Sequence, residues 1–506
     1  MELISPKSIP LIDKYCITAL GIPEYELMRR SAVALKSGVE RLVCHGARVL
    51  ILAGKGNNGG DGYALATMLL GSYKVTVCDL FSAGQKSEAG RRFREEFSRL
   101  GGEIRPGIPS GEELFSADLI VDAVFGTGAL GEPPSELIPL IRDVNSSPAK
   151  RLAVDIPLGV NAEDGSVSEN AVRADLTVTL SFAKTGLLSY PAREYVGELI
   201  SDPLSLDSSD LLRHFPTKNH YIDFSYALAN LPMRDKNTNK GSFGKALLVT
   251  GSEEFEGAGR LSLEAALRGG CGIVIHASPE PLRNRLISDY PEAIYKPYER
   301  LDGDTVSRIC DLSASTSATL IGSGSGNSPA LFALVRSLIL TKGGPLVLDA
   351  DAINSISKYG SPELLLQAER RLILTPHPLE LSRLIGKSAD HIQANRISVS
   401  RSFASEYGCI LLLKGAATVI TDGDAVLINS TGSSALSKGG SGDVLAGLLV
   451  SLLAMGTESL SATALAAYLH GAAGDSLAKR YSDFGVTPSD LPKEIAGELA
   501  LLTKKQ

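Results

Sequence analysis

Two α/β domains in series, each a parallel sheet with helices on both faces, are what this sequence predicts. Three observations carry the prediction. Short β-branched runs alternate with helical segments along most of the chain, the pattern of a sheet covered on both sides. Glycine is abundant, 51 of 506 residues, while aromatics are only 6% and Trp is absent, which suits many tight strand-to-helix turns. The alternation lapses once, from about Asp202 to Arg234, where a domain junction fits. A chain of this length suits two or more domains of roughly 100–200 residues.

In order, the first forty-five residues are helical, with apolar residues at helical spacing in Leu27–Leu35. Strands are predicted at 48–53, 74–80, 119–125, 151–156 and 176–182, with the clearest helix over 88–100. The first domain spans 1–205 and a linker spans 206–234. The larger second domain, 235–506, has strands at 246–250, 272–277, 318–321, 345–348, 371–374, 409–413 and 425–428. Helices at 261–268, 330–339 and 379–385 fall between them, and an apolar helix runs from Val444 to Met455. No short-period repeat is present.

The net charge is −7, which argues against a nucleic-acid or anionic-membrane partner. It leaves room for an anionic ligand, because local amides hold phosphate inside an acidic protein. The six cysteines show no CxxC spacing and read as buried thiols of a reducing cytosol. No basic, then apolar, leader opens the chain, and the longest apolar run is too short to span a bilayer. A cytoplasmic location is expected.

In the first half, Gly54-Lys55-Gly56-Asn57-Asn58-Gly59-Gly60-Asp61-Gly62 follows a strand and opens a helix. It satisfies GxGxxG, and Asp79 ends the next strand where a ribose-binding acid would sit. That alone suggests a dinucleotide site as in a dehydrogenase. The loop is richer than that motif needs, for Asn57, Asn58 and Asp61 add oxygens. Asp122 and Asp155 end later strands, beside Gly126-Thr127-Gly128 and Ile156-Pro157-Leu158-Gly159. Each acid alone would be an ordinary loop cap. Several at successive strand ends suit a hard cation and a polar or phosphorylated ligand. Lys184 either stabilises substrate charge or is a solvated surface lysine.

These motifs resemble the NAD(P)H-hydrate epimerase domain over roughly residues 1–205. The resemblance implies a Rossmann-like three-layer fold that interconverts the R and S hydrates of NADH and NADPH with a bound K+. It implies a hydrate site of Asn57, Asn58, Gly59, Gly60, Asp61, Gly126, Thr127, Gly128, Ala129, Leu130, Gly131, Glu132 and Asp155, and potassium on Asn58 and Asp122. The family usually reads Asp-Ile-Pro-Ser-Gly, its serine being a further potassium ligand. Here that position is Leu158, which offers only its backbone carbonyl. Exchange at the hydroxylated carbon goes through ring opening or through loss and return of water. Asp155, at the strand-end crevice, is the expected proton-transfer group.

The second half is organised around Leu436-Ser437-Lys438-Gly439-Gly440-Ser441-Gly442-Asp443. Glycines bring bare N–H groups close to a ligand, and a helix start adds partial positive charge, so the stretch is an anion site. A carboxylate at its rim would repel phosphates unless it serves as a base for an attacking hydroxyl. The bland alternative is a glycine turn capped by an ordinary N-cap aspartate. Lys414-Gly415-Ala416-Ala417-Thr418 follows a strand, its small residues admitting an adenosine diphosphate whose phosphates Lys414 and Thr418 address. Thr375-Pro376-His377-Pro378 projects His377 from a rigid loop. Asp349 and Asp351 hold magnesium through water or cap the loop, and His276 and His470 read as packed structural residues.

This half resembles the ribokinase-like superfamily, a three-layer α/β/α fold, and within it the ADP-dependent NAD(P)H-hydrate dehydratase over about residues 235–500. The resemblance implies that Ala258, Gly326, His377 and Asp443 contact the S-hydrate. It places ADP on Lys414, Gly415, Ala416, Ala417 and Thr418, and on Ser433, Ser434, Ala435, Leu436, Ser437, Lys438, Gly439, Gly440, Ser441 and Gly442, with Mg2+ bridging the phosphates. Both halves together resemble the bifunctional nicotinamide-nucleotide repair enzymes. The expected partners are therefore NADHX, NADPHX and ADP, within a homo-oligomer. Asp443 would deprotonate the hydrate's hydroxyl, which attacks the β-phosphorus of ADP. The rival reading is a ribokinase-like kinase of a sugar, thiazole or hydroxymethylpyrimidine, with a non-catalytic first domain.

Overall fold

The computed structural model describes residues 1–81, 85–128 and 132–505. The chain divides between Asn219 and His220 into two compact units.

The sheet of the first unit is entirely parallel. Its strands are β1 (Arg48–Ala53), β2 (Lys74–Asp79), β3 (Glu103–Pro106), β4 (Leu119–Ala123), β5 (Lys150–Val154), β6 (Leu176–Leu180) and β7 (Glu198–Asp202). They lie in the order β3-β2-β1-β4-β5-β6-β7. The chain winds outward from β1 to one edge, then returns to β4 and winds to the other. The reversal falls between β1 and β4, where ligands bind in such sheets. Central strands are buried on both faces and read Val-Leu-Ile-Leu in β1 and Leu-Ile-Val in β4. Helices Glu24–Leu42, Asn57–Leu69 and Glu88–Arg99 bury Leu35, Leu65 and Phe93 in one core. Ser87 caps the last of these, its Oγ accepting the Gly90 N–H.

The second unit carries β8 (Asn219–Ile222), β9 (Lys245–Val249), β10 (Ile273–Ala277), β11 (Ile294–Tyr295), β12 (Ala318–Ile321), β13 (Leu346–Leu348), β14 (Leu372–Leu374), β15 (Ile410–Leu413), β16 (Val419–Thr421) and β17 (Val426–Asn429). Their order is β8-β17-β16-β15-β14-β13-β12-β9-β10-β11, parallel except for β16, which is antiparallel to both neighbours. Helix Ser441–Ala454 is apolar all round because it is buried all round. Gly447 makes this possible, since a Cβ there would overlap the Ser262 carbonyl of helix Glu256–Arg268.

Several expectations need correction. The stretch 202–234 is not a lapse: it holds helix Ser208–His214, strand β8 and helix Phe224–Ala229. Strands β3, β7, β8, β11 and β16 were not predicted: β3, β7 and β8 are largely polar, and β11 and β16, though mainly apolar, are only two and three residues long. Cys44 is exposed, whereas Cys16, Cys78 and Cys409 are buried, and all six cysteines are free. Among the described residues no helix is long and apolar enough to cross a membrane.

Candidate active sites

A cavity of about 680 Å³ lies at the carboxyl ends of the first sheet, beside the β1/β4 reversal. That volume suits a small-molecule site. Asn57, Asn58, Asp61, Gly126, Thr127, Gly128 and Asp155 line it. Tight packing puts them there. A Cβ on Gly54 would overlap the Val124 carbonyl and one on Gly59 the Gly54 carbonyl, so helix Asn57–Leu69 starts hard against the end of β1. Gly59 and Gly60 serve this packing, Gly60 against Met28, and do not line the cavity. Glu132 lines a smaller neighbouring cavity and bonds Ser168 Oγ. Ala129, Leu130 and Gly131 lie outside the described residues.

Asp155 follows β5 with φ of 67°, a left-handed backbone that a non-glycine residue adopts at a cost of about 1–3 kcal/mol. Its Oδ1 accepts Thr179 Oγ1 and the Leu180 N–H, both at 3.0 Å, and pairs with the Lys184 ammonium. Lys184 is not a surface lysine: its side chain is 0% exposed. Its other contacts are Thr179 Oγ1 and the Leu180 carbonyl, each at 2.9 Å. Oδ2 of Asp155 remains beside Gly126, where a Cβ would stand 3.6 Å from it and 3.3 Å from Asn58 Oδ1. The bare glycine thus leaves both oxygens open.

Burial, reinforced by the Asp155 charge, pushes the Asp61 carboxyl well above the carboxylate range. Asp13, on helix Ile9–Thr18, is pushed up to about 6 by burial against the pull of Lys184. The sequence reading missed Asp13 and Glu24 on this wall; nothing distinguishes them from the polar face of an ordinary helix. Asp79 does not line the cavity: its Oδ2 is held by Tyr63 OH and Arg94 Nε, both at 3.2 Å, and its Oδ1 is buried without a hydrogen-bond partner.

Asp122, in β4, does not line the cavity. Burial pushes it up to about 6, and it accepts the N–H groups of Leu158 at 2.7 Å and Val124 at 3.2 Å. Among the described residues no cationic side chain pairs with it. Leu158 meets it as a donor, its side chain packs among apolar neighbours, and its carbonyl accepts the Val172 N–H at 2.8 Å. Leu158 thus offers a cation no side-chain oxygen, and its carbonyl already accepts one hydrogen bond.

In the second unit the carboxyl ends of β15, β14, β13, β12 and β9, adjacent in that order, place five loops side by side. The β15 loop carries Lys414, whose Nζ would be 3.2 Å from a Cβ on Gly442. Lys414 therefore faces the first turn of helix Ser441–Ala454. Gly440, the residue before this helix, has φ of 100°, and a Cβ there would meet Leu261 at 2.6 Å. Gly439 is open. Asp443 is half-buried in the same turn, and burial plus the Asp349 carboxylate push it up to about 7, against the pull of Lys414.

His377 caps helix Pro378–Ile385: its Nδ1 accepts the N–H groups of Leu379 at 3.1 Å and Glu380 at 3.2 Å. Burial and Lys414 lower its pKa, so the ring is neutral and Nε2 bears the hydrogen. Ala258 packs against Gly324, and Gly326 is open, its N–H donating to Asp351 Oδ2 at 2.9 Å. Asp351 thus caps that turn. The remaining nucleotide-loop residues divide. Thr418 Oγ1 bonds the Gly415 carbonyl, Ser433 Oγ accepts the Ala435 N–H, Ser434 pairs with Asp483, and Lys438 bonds the carbonyls of Phe484 and Val486. These side chains shape the loop. Ala416 is exposed, Ala417 has φ of 46°, Ala435 is buried and Ser437 follows a 3₁₀ turn through Leu436. His276 is buried against Thr250, as expected of a structural residue. His470, also buried, does more, bonding Ser441 Oγ at 3.1 Å beneath the helix start. Sequence reasoning also missed Arg396, whose Nη2 holds the Leu413 and Lys414 carbonyls at 3.1 and 3.2 Å. Among the described residues no three acidic, His or Cys side chains form a metal cluster.

A family profile described as NAD(P)H-hydrate dehydratase matches residues 246–496. One described as YjeF-related protein N-terminus matches residues 24–186. The bifunctional NAD(P)H-hydrate repair enzyme Nnr of Moorella thermoacetica is 32% identical, covering 97% of this chain and 95% of that protein. The chain belongs to the bifunctional NAD(P)H-hydrate repair enzymes. A second member of that family, from Escherichia coli, is 33% identical over 95% of this chain and 90% of its own length. The ADP/ATP-dependent NAD(P)H-hydrate dehydratase of Bacillus subtilis, co-crystallized with ATP and Mg2+, is 30% identical with a TM-score of 0.50, covering 56% of this chain and 98% of that one. A ribokinase-like superfamily protein of Enterococcus faecalis, 22% identical with a TM-score of 0.50, covers 56% of this chain and 96% of that one and shows the same fold. The repair-enzyme chain described here thus joins a Rossmann-like unit to a larger ribokinase-like one.

Proposed function

We propose that the first domain, residues 1–205, is an NAD(P)H-hydrate epimerase, and that the second, residues 235–506, is an ADP-dependent NAD(P)H-hydrate dehydratase. The observation that carries this reading is Asp443 beside an open glycine turn, with Lys414 facing the same amides.

In the first cavity, Asp155 Oδ2 takes the proton of the added hydroxyl as the bond between its carbon and the ring nitrogen breaks and a carbonyl forms, and Asp61, whose carboxyl burial favours in its protonated form, gives a proton to the departing nitrogen. Re-addition of that nitrogen to the other face of the carbonyl, with both protons returned, gives the other epimer and restores both groups. The bare Gly126 admits the ring beside Asp155. A buried carboxyl with no cationic side chain on it fits a monovalent cation, so Asn58 and Asp122 would hold potassium without Leu158. When bound, that ion supplies positive charge near the substrate's oxygens.

In the second site, the S-hydrate's hydroxyl gives its proton to Asp443 as its oxygen attacks the β-phosphorus of ADP, and AMP departs. The amides of Gly439–Gly442 and Lys414 stabilise the charge on the moving phosphoryl group. Phosphate then leaves the ring, assisted by the ring nitrogen's lone pair, and loss of a neighbouring proton yields NADH or NADPH. His377 would donate from Nε2–H to the hydrate, in exchange for its approach to Glu380 Oε1 at 3.5 Å. Asp349 and Asp351 are too few carboxylates to hold magnesium alone, so magnesium belongs with the nucleotide phosphates, whose charge it would screen. A homo-oligomer is proposed with the enzyme class.

A small-molecule kinase is not favoured, because the repair-enzyme relatives match both halves of the chain. The experiment is to add protein and ADP to hydrated NADH and follow recovery of the reduced-nicotinamide absorbance. Recovery of both epimers is expected. No recovery with either ADP or ATP would overturn the reading.

A further inference from the structure

Asp349 follows β13 and is buried, yet it contacts no open space at the site. Its Oδ1 accepts Thr375 Oγ1 and Lys414 Nζ, each at 2.7 Å, and its Oδ2 accepts Ser323 Oγ at 2.8 Å. The three partners come from the ends of β14, β15 and β12, so one carboxylate ties together the loops of both strands flanking its own and of β15 beyond. Ser323 and Thr375 are themselves fully buried. Both oxygens of Asp349 are thus engaged within the protein.

Lys414 is the one partner that also faces the site. A lysine ammonium on four carbons would ordinarily sample many rotamers. Here its backbone is fixed as well, its N–H donating to the Pro376 carbonyl at 2.9 Å and its carbonyl held by Arg396. The ammonium is thereby stationed beside Gly442 before any ligand arrives. Such preorganisation spares the ordering cost at the moment of binding and transfer.

We propose that Asp349 is a positioning residue of the dehydratase site, which acts on phosphoryl transfer chiefly by holding the Lys414 ammonium against the Gly440–Gly442 turn. This deepens the reading above and rests on it, since it takes the turn to be where ADP phosphates lie.

A double-mutant cycle on the full-length chain tests it, because residues that act through one another give non-additive losses. Asp349→Asn, Lys414→Met and the double variant are assayed for dehydration of S-hydrate at a pH on the upper plateau of each variant's profile, where the charge of Asp349 no longer changes the ionisation of Asp443, with kcat and the KM for ADP measured separately. Asp349→Asn is expected to lower kcat/KM for ADP by about ten- to a hundredfold, with the KM for the hydrate unmoved. In the Lys414→Met background the same change should cost less than about twofold. Thr375→Val removes one anchor but leaves the charge. It should show a smaller loss that also vanishes without Lys414, which covers the case in which Asp349→Asn folds poorly by thermal melt. Losses that multiply in the double variants, or an Asp349→Asn enzyme of undiminished kcat/KM, would overturn the assignment on an active wild type. A wild-type chain that restores no reduced coenzyme overturns the functional reading, and the proposal with it.

Discussion

Asp443 is a carboxyl whose proton affinity has been brought to the working pH. Burial raises it first, then the charges of Asp349, Asp351 and Glu380, with Lys414 opposing, and the balance lies at about 7. A general base acts only when deprotonated, so kcat/KM for dehydration should climb as pH rises through about 7 and level off above it. Asp443→Asn should cost at least about a hundredfold and abolish that limb; a steady-state pH profile of both proteins checks this. Lys184 calls for a different outcome. Lys184→Met leaves Asp155 buried without its counter-ion, and breaking a buried pair costs about 3–5 kcal/mol. Denaturant unfolding should show the first domain weakened by that order and epimerase activity lost, while pre-formed S-hydrate is still dehydrated.

At the scale of elements, both sites depend on glycines that let backbone meet backbone. Gly440→Ala meets a left-handed φ and the Leu261 side chain together. It should raise the KM for ADP at least about tenfold, with about 1–3 kcal/mol lost in stability from the backbone term. Binding titration and thermal melts separate the two effects. The same elements show how far the sequence could be read. Buried central strands such as β1 and β4 are near-continuous apolar runs, so their number, direction and loop ends were legible. β3 reads Glu-Ile-Arg-Pro and β7 reads Glu-Leu-Ile-Ser-Asp; as sheet edges they have little apolar surface to bury and carry no such signal. The glycine and aspartate motifs of both sites were legible because a ligand and a tight turn impose residue types at fixed spacing. Asp13, Arg396 and the Asp349 triad were not. Their roles come from strands and helices that meet only in space, and a single sequence records no such meeting.

For the molecule as a whole, the proposed function puts two chemistries on separate folding units and joins them by a shared intermediate. On that reading the first unit makes the epimer that the second consumes. If the intermediate passes through solution, an Asp155→Asn chain and an Asp443→Asn chain mixed together should restore the full epimeric mixture of NADH hydrate, though neither does so alone beyond spontaneous epimerisation. Absorbance recovery with ADP is the measurement, and a mixture that stops at the S fraction would show that the intermediate does not pass between chains.

His377 carries a consequence for which amino acids this loop tolerates. One edge of its ring is spent on the backbone of the helix it begins, and the opposite edge, whose Nε2 stands 3.5 Å from Glu380 Oε1, is the one proposed to meet the coenzyme. Few side chains can accept on one flank and donate on the other at this length. Asparagine is the natural substitute, a lineage drifting at this position would be expected to pass through it, and alanine would forfeit the helix start and the ligand contact in a single step.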